Sequence, residues 1–350
     1  MKKDACDPEA VRSALLRASH AAGKTYAFDE THDETRVIDH WFQESNEGLI
    51  LFVVFYTLAC RWSACTGCNL PSVSAHHAVS YFSLVRQIDR LMTTPKVAAN
   101  TERITKLIVS NNGSVLDEAT FPSTALMHLL VQVNLCLPAL RVISFESRPE
   151  YVDLEELAYL ARAMNERRQP AQVEIAIGFE AYSEHIRNEV FRKGLSLEAF
   201  ESLVERMTGP RFKLKCYFMQ KPVAGISDEQ AIADLQQAVD YLHKVSVRSG
   251  LHINLHLNPT YVARGTPLET AFAAGTYAPP QLRDVARVVL YARDKAISIF
   301  VGLNDEGLAV PGGSFLRPGD EALARALEAF NRSQDHDALE RWFRQHATAV

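Results

Sequence analysis

Six short runs rich in valine, isoleucine, leucine and phenylalanine, at residues 49–58, 104–111, 140–146, 173–179, 212–219 and 251–257, alternate with longer stretches of helical period. That alternation leaves few folds open. Near-continuous apolar strands are buried on both faces, and connections long enough to hold a helix make parallel crossovers the natural link. Six strand-helix units in a row predict a barrel or partial barrel, with a doubly wound sheet as the competing topology. No Gly-x-Gly-x-x-Gly loop follows the first strand, so a dinucleotide-binding domain has little support.

The helices carry their own start and stop signals. Ser227-Asp-Glu-Gln230 reads as a capping box, and Ile232, Leu235, Val239 and Leu242 then repeat at helical spacing up to Gly250. A second helix runs from Leu197 through Phe200, Val204 and Met207 to Gly209-Pro210. With 350 residues, 47% of them hydrophobic, the chain can bury one large core. We expect an N-terminal extension over 1–47, with a short helix near Pro8 to Ala22, a core over 48–295, and a C-terminal capping region over 296–350 that includes the apolar run 297–303.

A formal charge of -5 argues against broad binding to nucleic acid or an anionic membrane. The longest apolar run, Leu49 to Cys60, has twelve residues, short of the roughly 20 that a membrane-spanning helix needs. The opening Met-Lys-Lys-Asp-Ala-Cys-Asp has no apolar stretch behind it, and a cytoplasmic protein is expected. Cys6, Cys136 and Cys216 are scattered and read as reduced thiols.

The other three cysteines follow the first strand as Cys60-Arg-Trp-Ser-Ala-Cys65-Thr-Gly-Cys68. Three thiols in nine residues cannot pair off, and they point to a metal or cluster site. The spacing admits a two-iron cluster completed by Cys136, a zinc site completed by His76 or His77, which open what reads as a long helix, or a four-iron cluster on three thiolates with one iron left open. These correspond to a noncatalytic electron carrier, a zinc-stabilised binding module and an enzyme.

In a barrel, residues just past each strand line one mouth. Here they are the cysteine loop, Ser110-Asn111-Asn112-Gly113, Glu146-Ser147-Arg148-Pro149-Glu150, Gly178-Phe179-Glu180, Gln220-Lys221-Pro222 and Asn258-Pro259-Thr260. Polar clusters recurring at the same strand ends mark that mouth as the chemical face.

With these segments in this order, the sequence resembles the radical S-adenosylmethionine (SAM) enzymes, in the branch of the Elongator catalytic subunit and the archaeosine-forming radical SAM proteins. The likeness spans about residues 48 to 295. It rests on Cys60 to Cys68 with Asn69-Leu70-Pro71, on Val142 to Val152, on Ala176 to Glu180 leading to Arg192-Lys193-Gly194, and on Asn258-Pro259-Thr260 with Arg264-Gly265-Thr266. The resemblance implies an α/β fold, a partial (β/α)6 TIM-like barrel of the radical SAM type with N- and C-terminal extensions. It implies a [4Fe-4S] cluster held by Cys60, Cys65 and Cys68, whose open iron takes the methionyl end of SAM. A 5'-deoxyadenosyl radical then abstracts hydrogen from a substrate. Ser110, Asn111, Asn112 and Gly113 match the segment that contacts the methionyl amino group, and Glu146 and Ser147 the ribose-contacting segment. Gly178 and Glu180 match the strand that follows, and Lys193 the position that pairs with the methionyl carboxylate. This loop has one residue more than the family's usual Cys-x3-Cys-x2-Cys, and Gly67 stands where an aromatic residue is common.

No catalytic side chain is assigned from the sequence. Trp62 reads equally as a shield for the cluster and as packing against the first helix. The resemblance implies a one-electron reductant such as flavodoxin or ferredoxin. The expected substrate is a small molecule or modified nucleoside, with tRNA reached only through a partner and no membrane involved. Lys213 and Lys215 read as a solvated strand face, whereas Lys221 and Arg264 stand near strand ends where phosphate could lie.

Overall fold

The computed structural model describes residues 8–346 except 30, 208, 210 and 306; Cys6 and Pro210 lie outside the described residues. One sheet of eight strands organises the chain, with strand order equal to chain order: β1 (Asp39–Ser45), β2 (Gly48–Val54), β3 (Ile104–Ser110), β4 (Val142–Ser147), β5 (Gln172–Glu180), β6 (Phe212–Gln220), β7 (His252–Pro259) and β8 (Ser298–Val301). β1 pairs antiparallel with β2, and every later pair is parallel. A doubly wound sheet reverses its strand order at a switch point, and this one does not. The sheet curls in one direction into an open half-barrel. The six strands expected from the sequence are β2 to β7, and the two added strands are its edges.

The strands alternate between two environments. Leu51, Val53, Leu107, Val109, Ile143, Phe145, Val173, Ile175, Leu214, Leu255 and Leu257 point outward into one continuous core shared with the covering helices. Ile50, Phe52, Val54 and Ile108 form a separate apolar cluster with Trp41 on the concave side. Sixty-odd buried apolar side chains in the outer layer provide the main driving force for folding, because each removes apolar area from water. The helix Asp228–Ser249 has the expected capping box at Ser227 and Gln230, and it ends on Gly250 at φ 72°, a left-handed conformation that glycine adopts without strain. His76 and His77 precede rather than open a helix, which starts at Tyr81 after the Ser80 cap.

The concave floor overturns one reading. Lys213 and Lys215 alternate on β6, but their face is the inside of the half-barrel, where they are 6% and 3% exposed. Lys213 pairs with Glu47, and Lys215 donates to Asn254 Oδ1 at 2.8 Å. Lys106, fully buried on β3, lies between Glu174 (2.8 Å) and Glu47 (2.6 Å). Alternation says that two faces differ; it does not say which face the curl encloses.

The C-terminal region covers the sheet's open edge. Asn331, on the helix Glu321–Ser333, accepts from Val301 N at 2.8 Å and donates to Val301 O at 2.9 Å, and Gln334 does the same for Ile299. Edge strands expose unpaired backbone groups, and here side-chain amides satisfy them. Asn331 O also accepts from Asn46 N at the β1–β2 turn, so this helix spans both ends of the curl.

Candidate functional site

At the carboxyl ends of the strands a cavity of about 280 Å³ opens into the half-barrel. Cys60, Cys65 and Cys68 line it together, with Ser110, Asn112, Gly113, Glu146, Ser147, Gly178, Glu180 and Lys193. Of the residues that the resemblance assigns to the cluster or to SAM, Asn111 alone is absent from the wall. Its buried amide shapes the turn instead, accepting from Gly113 N at 3.1 Å and donating to Thr120 Oγ1 at 3.1 Å.

The cysteine loop is held from several directions. Trp62 Nε1 donates to Arg192 O at 2.8 Å, and its ring lies beneath the Arg148 guanidinium at 4.5 Å. Trp62 therefore packs across the mouth rather than on a helix. A Cβ on Gly194 would collide with that ring, and one on Gly113 would come within 3.1 Å of Cys60 Cα. Gly113 permits close approach to the Cys60 backbone, and Gly194 leaves room for the Trp62 ring.

Arg148 was quoted in the sequence motif without a role. It donates to Lys193 O at 2.8 Å and Gly194 O at 3.0 Å while also covering Trp62. One buried side chain thus ties the cysteine loop, the loop after β4 and the 192–194 segment together. That segment follows a π-helical turn, His185–Val190, whose Arg187 is fully buried and donates to Leu195 O at 2.7 Å. Single π turns of this kind often occur at functional sites.

Lys193 Nζ donates to Glu180 Oε1 at 2.7 Å directly over Gly178, where a Cβ would collide with both. Glu180 has φ 71° beside a register shift in β5, a bulge that re-aims its carboxylate towards the mouth. Burial would lower the Lys193 pKa, but Glu180 and Cys65 outweigh it and hold the ammonium. Glu146 is pushed up by burial, against hydrogen bonds from Ser110 and Tyr217.

Part of the cavity wall is aromatic and amide-rich. Trp41 stacks on Phe52 with ring centroids 4.3 Å apart, and Tyr217, His256, Asn258, Tyr261 and Asn304 face them from the far strands. Burial, then the Lys215 charge, holds His256 well below its ordinary pKa, so its ring is neutral. Apart from Asn258, no sequence motif marks these residues, since strands and loops remote in the chain contribute them.

Three thiols share one cavity wall, and thiolates are the donor type that iron-sulfur clusters and zinc take. Burial pushes Cys65 up to about 12, with Lys193 opposing, and pushes Cys68 upward against Lys24. Such thiols release protons when metal binds. Among the described residues, no group of three or more histidine, cysteine, aspartate or glutamate side chains is placed to hold a metal ion. The two histidines weighed as a fourth zinc ligand have other neighbours. His77 Nε2 is 2.8 Å from Glu34 and His76 packs edge-on to Phe28, and neither lines the cavity. Cys136 ends the outer helix Ser123–Cys136 and is equally remote from the wall. Asn69 Oδ1, beside Cys68 on that wall, is buried without a hydrogen-bond partner among the described residues, an acceptor left for a ligand.

No family model matches the chain. It is distantly similar to the archaeosine synthase subunit beta of Methanosarcina acetivorans, 26% identical over 250 residues that span 69% of this chain and 66% of that one. The subunit of the same name from Thermococcus kodakarensis is 22% identical over 314 residues, 86% of this chain and 91% of its own. Among solved structures, a queuine lyase from Clostridium spiroforme bound to SAM and queuine has a TM-score of 0.46 and 13% identity, over 74% of this chain and 94% of that one.

Proposed function

We propose that the chain is a radical SAM enzyme, with Cys60, Cys65 and Cys68 holding a [4Fe-4S] cluster and the adjacent wall holding SAM. The observation that carries this is the convergence of three thiols, the Gly178 cradle and the Glu180–Lys193 pair on one cavity. When bound and reduced, the cluster supplies the electron that splits SAM into methionine and a 5'-deoxyadenosyl radical.

The chain's own residues bind, orient and shelter. Lys193 would offer its ammonium to the methionyl carboxylate, and Glu180, which keeps Lys193 in place, would accept from the amino group. Gly113 and Gly178 let the ligand approach backbone that any side chain would block. Ser147 and Glu146 would contact the ribose. Trp62 and Arg148 cover the mouth and keep water away.

The substrate would lie against the aromatic part of the lining, Trp41 with Phe52 and Tyr217 with His256. The archaeosine synthase relatives point to modified-nucleoside chemistry, and their being subunits points to a partner where the substrate is RNA. The chain's own cations support this division of labour. Lys213 and Lys215 are buried in the floor, and Lys221 pairs with Asp228 at 2.7 Å beneath the Tyr277 ring. Arg264 is exposed, and it lines a second cavity rather than this one. A flavodoxin or ferredoxin supplies the electron, in a reducing cytoplasm.

The test is anaerobic incubation of reconstituted protein with SAM and dithionite, followed by mass spectrometry. We expect 5'-deoxyadenosine above the reductant-free control. Protein that carries its full iron content yet forms none would contradict the proposal.

A further inference from the structure

The segment ahead of the sheet forms part of the cysteine loop's support. Thr25 N donates to Gly265 O at 2.9 Å, Asp29 N to Ser72 O at 2.8 Å, and Arg192 Nη1 reaches Ala21 O at 2.6 Å, so residues 21–29 form a strap tied to segments around the loop. From this strap Lys24, 4% exposed, turns inward to line the cavity. Its ammonium donates to Ser63 O at 2.9 Å.

Ser63 is the unusual residue in the loop. It has φ 43°, a left-handed conformation that serine seldom adopts, and its hydroxyl turns back onto Cys60 O. The span from Cys60 to Cys65 has one residue more than the three-residue spacing, and a left-handed kink at Ser63 takes up that length. The kink leaves a carbonyl pointing into the protein, and the buried Lys24 ammonium caps it.

We infer that Lys24 is a positioning residue of the cofactor site: it fixes the Ser63 kink that sets Cys60 and Cys65, and it places its ammonium on the cavity wall that the three cysteines share. The inference rests on the radical SAM reading for the identity of what is bound, but the clamp itself rests on the apoprotein's geometry. A cation next to a centre that gains negative charge on reduction favours the reduced form and raises the midpoint potential.

The test uses Lys24→Met, Lys24→Gln and Lys24→Arg in the full chain, with two readouts. In the apoprotein, hydrogen exchange of amides 61–67 should quicken several-fold in Lys24→Met and return to the wild-type rate in Lys24→Arg. In reconstituted protein, the midpoint potential should fall in Lys24→Met and in Lys24→Gln, which keeps a donor but has no charge, and should recover in Lys24→Arg. Unchanged exchange in Lys24→Met overturns the clamp, and an unchanged potential in a fully iron-loaded Lys24→Gln overturns the charge effect. Wild type that takes up no iron would instead sink the radical SAM reading, with the exchange result still deciding the clamp.

Discussion

Gly178 shows how little room the cofactor wall leaves. A methyl group there would strike the ends of Lys193 and Glu180, two flexible side chains that can swing aside, so the fold should survive Gly178→Ala while the ion pair is displaced. We predict unchanged thermal unfolding and SAM binding weaker by about 1–3 kcal/mol, the range for losing a hydrogen bond to a charged group, as read by calorimetric titration of reconstituted protein. Gly178, Glu180 and the cysteines were legible because they sit in contiguous motifs whose residue types the chemistry restricts. Arg148, Tyr217 and His256 were not, since they matter through contacts with residues far away in sequence. Asn111 was grouped with its neighbours, yet its amide folds the turn, a distinction that only side-chain direction reveals.

The strands were largely readable, because a continuous apolar run bounded by turn residues has few other fates. β1, Asp-His-Trp-Phe-Gln-Glu-Ser, escaped because an edge strand with polar residues does not look like its buried neighbours. Its turn nonetheless secures the floor: Glu47 pairs with both Lys106 and Lys213, joining the β1–β2 turn to β3 and β6. Although burial opposes ionisation, the two lysines hold the Glu47 carboxyl well below the ordinary carboxylate range, and Lys106 does the same for Glu174. A depressed folded-state pKa stabilises the protein above the unfolded value, about 4.3, and that contribution is lost as pH falls below it. Glu47→Gln should therefore cost about 1–3 kcal/mol at pH 7, with the gap to wild type shrinking between about pH 4.3 and pH 2. Urea unfolding at a series of pH values measures this, and a gap that stays constant would show that the pairing is not electrostatic. Arg148 works on the loops as Glu47 works on the floor. Arg148→Lys keeps the charge but loses the fork that reaches two carbonyls and covers Trp62, so it should weaken SAM binding nearly as much as Arg148→Ala.

The half-barrel joins two surfaces of opposite needs: an outer layer that drives folding and a concave face whose polar floor and aromatic wall frame a cavity. No described helix is long and apolar enough to cross a membrane. The covering of β8 by Asn331 and Gln334 could not be foreseen, because amides on a helix give no sign in sequence of the strand they will cap. If the cavity is what assembles the cofactor, only thiols on its wall should matter. Cys60→Ala, Cys65→Ala and Cys68→Ala should each lose the cluster, whereas Cys136→Ala and Cys216→Ala should retain full iron content by colorimetric assay. The central claim, three thiolates and one iron left open, is met most directly by low-temperature electron paramagnetic resonance of the anaerobically reconstituted, dithionite-reduced protein with and without SAM. The account predicts roughly four irons per chain and a reduced-cluster signal that changes shape when SAM is added. A two-iron signal indifferent to SAM, or colourless protein holding zinc, would contradict it.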